Sequence, residues 1–147
     1  MQRIVRKSIL PILFLLSAPT FAQMKVFVAA TTPDSVGSRL VYSIKEGIRR
    51  SAGMALTDRS QDSIIRVNIV TLDPDKNENS SRRTIYSVVW TAQTFHSTPV
   101  TMYLTNSVGL CGSNRVQECA EDLVADTDRQ ASTVRSWIQD ILSKPNS

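Results

Sequence analysis

The sequence predicts an α+β domain, a two-layer sandwich in which a mostly antiparallel sheet of about five strands carries two helices. The order is β-α-β-β-β-β-α, with the last helix long. Three observations carry this reading. Ser35–Ser51 and Arg115–Lys144 repeat apolar residues every three or four positions, as a helix with one buried face requires. Between them, short runs of β-branched and aromatic residues are separated by polar turns. Each helix has one apolar stripe, and the sheet is the partner on offer for burying it.

Taken in order, the chain begins with Arg3, Arg6 and Lys7, followed by an apolar run from Ile9 to Leu16 and by Thr20-Phe21-Ala22. That is the layout of a secretory signal peptide, with cleavage expected between Ala22 and Gln23. The apolar core is about ten residues and contains Pro11, whereas a membrane span needs roughly 20. Residues 23–147 are then expected to form a single domain without stable membrane insertion, periplasmic or secreted. The whole chain carries 17 basic and 13 acidic residues. Losing the three basic residues of the leader leaves 14 against 13, so a nucleic-acid partner is not expected, because such a face needs clustered Lys and Arg.

Lys25–Ala30 reads as the first strand, and Thr31–Asp34 breaks it. Asp34 or Ser35 then caps a helix whose stripe is Leu40, Val41, Ile44 and Ile48, with Gly53 ending it. Met54–Thr57 is a short second strand. Ser63–Leu72 is the strongest strand signal, with Ile65, Val67 and Ile69 on one face and Ile64, Val70 and Leu72 on the other. A strand apolar on both sides is expected at the centre of the sheet, with both faces at least partly covered. Arg83–Ala92 and Val100–Thr105 follow as strands joined by turns that favour antiparallel hairpins. The last helix carries Val116, Cys119, Ala120, Leu123, Val124, Ala131, Val134, Ile138, Ile141 and Leu142, weakens near 125–128, and is capped by Ser113 or Asn114.

Few residues look chemical. Cys111 and Cys119, the two cysteines, lie eight apart. A structural zinc site needs four ligands, and a redox motif spaces its cysteines as CxxC, so a disulfide in an oxidising compartment is the expected state. Closing that loop is worth roughly 2.6 kcal/mol by chain entropy. Asp73–Asn79 places oxygens at alternate positions, but Glu78 stands where a calcium loop needs Gly and Thr84 where it needs Glu. No metal or cofactor is expected. Gly37, near the first helix start, lacks the Lys-Ser/Thr ending of a phosphate loop, and capping explains it.

Tyr86 and Trp90 share one face of their strand, where they either pack under a helix or form a partner patch. With Arg82 and Arg83 they are the candidate partner-binding residues. These features point to an exported accessory or binding protein without catalytic activity that contacts another envelope protein. Two other functions fit the same leader. One is a small secreted hydrolase built on His96, although no strand-turn-helix nucleophile signal appears. The other is an exported toxin or inhibitor.

Overall fold

A computed structural model describes residues 22–75, 82–94 and 100–144. The expected leader through Phe21 and His96 lie outside the described residues. The elements are β1 (Met24–Thr31), α1 (Ser35–Arg50), β2 (Met54–Leu56), β3 (Ile65–Leu72), β4 (Arg83–Gln93), β5 (Thr101–Gly112) and α2 (Val116–Ser143). The order and the long last helix are those the sequence predicts.

The strands form one sheet in the order β2-β1-β3-β4-β5. The two longest ladders, β3–β4 and β4–β5, are antiparallel, while β1 runs parallel to both of its neighbours. Parallel strands normally need a long return connection. Here Leu56 ends β2 opposite Val26, and Ile65 begins β3 opposite the same residue. The connection therefore crosses β1 without running back along it. Its ends are held by Thr57 N donating to Val26 O and Ile64 N donating to Lys25 O.

Both helices lie on one face. Val26, Val28, Ile65, Val67, Ile69, Val88 and Trp90 meet Leu40, Ile44 and Ile48 of α1 and Ala120, Leu123, Ala131 and Val134 of α2. Trp90, 1% exposed, donates its Nε1–H to Thr127 Oγ1 at 2.9 Å, and Thr127 donates to Leu123 O at 2.7 Å. This bond fills the point near 125–128 where the apolar stripe weakens, and α2 continues through it unbroken.

Three sequence expectations are revised. First, the second face of β3 is covered only toward its start: Ile64 packs against the core, but Val70 and Leu72 are exposed, because both helices pack on the other side. Second, β5 runs on to Gly112 rather than stopping at Thr105, since alternation continues at low hydrophobicity through Asn106–Gly109. Third, α2 begins after Arg115 without the side-chain cap expected from Ser113 or Asn114.

The start of α1 is fastened more elaborately than capping requires. Asp34 Oδ1 accepts from Gly37 N at 2.6 Å. Its Oδ2 accepts from Thr71 Oγ1 at 2.6 Å on β3 and from Thr84 Oγ1 at 3.1 Å on β4. All three side chains are buried. Gly37 is required at this point, since a Cβ there would lie 2.7 Å from Thr71 Cβ and 2.8 Å from Asp34 Oδ2.

Replacing Asp34 with Ala removes a cap worth about 1 kcal/mol and strands buried hydroxyls at 1–3 kcal/mol. The expected loss is about 3 kcal/mol by urea unfolding. Asp34→Ala combined with Thr71→Val is expected to cost clearly less than the sum of the single changes, because the two residues share one network.

Candidate functional site

With both helices on one side, alternation dictates what the opposite side of the sheet displays. Leu72 of β3, Ile85 of β4 and Leu110 of β5 stand in register, and the next row holds Val70, Ser87 and Val108. The five apolar members are 38–70% exposed. Together they form a contiguous uncovered apolar patch on three adjacent strands, a feature that single exposed apolar residues do not make.

The patch has charged neighbours. Arg83, at the start of β4, directs Nε and Nη2 to the two carboxylate oxygens of Asp75, each at 2.8 Å. That bidentate hydrogen bond, with the charges of Arg83 and Arg82, holds the Asp75 carboxyl below its usual range. Arg82 is exposed beside it. Further along the same face, Arg66 sits between Phe27 and Thr91 in register. Its Nε is shielded from solvent and has no hydrogen-bond partner among the described residues.

Arg82 and Arg83 therefore border the exposed surface. Tyr86 and Trp90 do not. Trp90 is sealed under α2, and Tyr86 is half-buried against the core on the helix side. Their parity places them with Val88, and that row faces the helices. The Tyr86 hydroxyl leans over Gly109, where a Cβ would collide with the ring. Burial pushes the Tyr86 phenol up, and Asp122 and Asp126 add to the rise.

The sequence reading did not mark the patch as a site. The sequence puts Val70 and Leu72 on a face expected to be at least partly covered, and it ends the strand at Thr105, short of Val108 and Leu110. The signal was the period of two in Ser107-Val108-Gly109-Leu110, with polar or absent side chains between apolar ones.

Two concavities lie on the helical side. One, of about 480 Å³, runs between α1 and α2 beside Gly47, Arg50, Glu121, Val124 and Asp128. The other, of about 590 Å³, is bounded by Ile64, Ala92, Met102, Trp137, Ile141 and Leu142. It arises because the burial of α2 stops at Val134, leaving the apolar residues of its last turns uncovered. Among the described residues no group of three or more His, Cys, Asp or Glu is placed to hold a metal ion, and no helix is long and apolar enough to cross a membrane.

Cys111 and Cys119 are joined in a disulfide with Cα atoms 6.3 Å apart, and no free cysteine remains. The bond ties the end of β5 to the second turn of α2, across the turn whose Ser113 O accepts from Arg39 Nη2 at 2.8 Å.

No family model matches the chain, and no curated protein matches it. Among solved structures, it is similar to the PelC dodecamer from Paraburkholderia phytofirmans at 18% identity and a TM-score of 0.40, over 75% of this chain and 90% of that one. A PelC variant dodecamer from the same organism is similar at 13% identity and a TM-score of 0.44, over 74% and 92%.

Cys111→Ser and Cys119→Ser are each expected to lower stability by about 2.5 kcal/mol, with the double change no worse than either single one. Denaturant titration of the three variants reads this directly. Tyr86 is expected to titrate above its ordinary value by ultraviolet absorbance. Because its folded pKa is raised, its contribution to stability is present below the unfolded pKa and is lost as pH rises through the folded one. Tyr86→Phe should abolish that raised step.

Proposed function

We propose that this chain is an exported binding protein without catalytic activity of its own. It contacts another protein of the cell envelope, in the periplasm or outside the cell, through the open face of its sheet. The observation that carries this reading is the in-register patch of Val70, Leu72, Ile85, Val108 and Leu110. Burying apolar area of this kind releases roughly 25 cal/mol per Å². The patch also has the anatomy of a contact surface, with apolar side chains at the centre and Arg66, Arg82 and Arg83 toward its margins.

Two further features support the assignment. The disulfide suits a compartment that oxidises thiols, since cytosolic chains seldom keep one. The charged start, apolar run and small-residue site of the first 22 residues suit export.

A photoreactive amino acid placed at Val70 or Ile85 in the producing cell tests the reading against a control at Ser132, which is exposed on α2. One discrete adduct is expected from both sheet positions and none from the control. Val70→Asp should reduce the adduct at Ile85 at least tenfold, the effect of roughly 1.4 kcal/mol of lost contact energy. Equal capture at Ser132, or none at the sheet positions, refutes the assignment.

A further inference from the structure

The outer border of β5 presents a different recognition chemistry from the open face, namely unpaired main-chain groups. Ser113 N donates to Arg82 O at 2.7 Å, which makes Arg82 and Ser113 a hydrogen-bonded pair of the antiparallel ladder. Such pairs alternate, so Cys111, Gly109, Ser107 and Thr105 also turn their N–H and C=O toward β4. Asn106, Val108 and Leu110 then turn theirs outward, and Gly112 its N–H, while Gly112 O already accepts from Arg115 N at 3.0 Å. In the sheet order β5 is terminal, so among the described strands none pairs with that border.

Natural sheet edges discourage pairing with charges, prolines, bulges or short length. Thr101–Gly112 contains no charged residue and no proline. Its one irregularity lies near Thr105, where the register shifts opposite Trp90 and Thr91. The stretch from Thr105 to Gly112 is regular and neutral. The opposite edge of the sheet is the three-residue β2, too short to accept β5 from another molecule.

We infer that β5 pairs antiparallel with β5 of a second copy about a two-fold axis, joining two sheets into one of ten strands. The occupant follows from the edge itself. Only an extended strand satisfies a row of alternating donors and acceptors, and a neutral strand meets no charge repulsion from its own copy. Because β2 offers no comparable edge, the self-pairing closes at two rather than growing head to tail.

The favoured register places Gly109 on the axis. Val108 then faces Leu110 of the second copy, and Leu110 faces its Val108, all on the open face. The outward groups of residues 106, 108 and 110, with Gly112 N, supply about six backbone hydrogen bonds, comparable to the roughly ten at ordinary interfaces. Gly109 meets its own copy at a position where side chains crowd most closely, and it has none. The pairing uses the main-chain border of β5 and shares Val108 and Leu110 with the patch of the envelope contact proposed above, so the two are read apart: that contact at Val70 and Ile85, the pairing by mass and amide exchange.

The protein purified from the producing cell with its disulfide intact provides the test. Sedimentation equilibrium is expected to give twice the chain mass. Amide exchange is expected to protect Val108 and Leu110 as strongly as Ser107 and Gly109. Leu110→Pro removes one outward donor without touching the β4 ladder, and Val108→Lys puts a charge at an exposed position that leaves the core intact. Each should weaken dimerisation at least tenfold and restore fast exchange at the outward amides. A monomer with alternating fast and slow amides overturns the inference, whatever the crosslinks at Val70 and Ile85 give. Assemblies that keep growing with concentration, or a dimer unaffected by Val108→Lys, overturn it as well.

Discussion

Asp34 sets the sidedness of the whole molecule. A helix N-terminus leaves donors unsatisfied, and a short carboxylate is a common remedy. Here the carboxylate also takes hydroxyl donors from Thr71 and Thr84 on two neighbouring strands. Both threonines belong to the helix-facing rows of β3 and β4, so the first turn of α1 is fixed over that face. A solvated capping residue would hold the helix start without saying where it lies. This one specifies both.

With α1 committed, α2 follows it to the same side. Two arginines reinforce the arrangement: Arg39 reaches Ser113 O at the start of α2, and Arg135 donates to Gly53 O past the end of α1 at 3.0 Å. Trp90 and Thr127 lock α2 over the middle of the sheet. Among the described residues no element covers the opposite face. That face is apolar even so, and the same sequence that builds a sufficient core on one side leaves an unsatisfied one on the other. The binding reading and the strand-pairing reading both start from this asymmetry.

Much of the fold was legible because periodicity is a local property. The stripe Leu40–Ile44–Ile48 and the alternation in Ile65–Val67–Ile69 announce a helix and a strand without any knowledge of the rest. The parallel placement of β1 between β2 and β3 was not legible, since it depends on where β2 stops relative to Val26. The open face was misread for a related reason. Val70 and Leu72 carry the same apolar character whether or not a helix covers them, and only the positions of α1 and α2 decide which. Tyr86 and Trp90 show the converse, because an aromatic pair suited to a contact surface is equally suited to a core. The Asp34 network also escaped the sequence reading beyond the cap itself, because Thr71 and Thr84 are distant in the chain and unremarkable in composition.

The disulfide has a consequence for biogenesis. With two cysteines only one intramolecular pairing exists, and it spans eight residues between the last strand and the last helix. An oxidant is sufficient to make it, and there is no mispaired isomer for a shuffling enzyme to correct. The covalent link can also form as soon as the C-terminal third of the chain emerges, before the sheet has assembled. Formation of the correct pair is therefore complete on oxidation, with no isomerisation to follow.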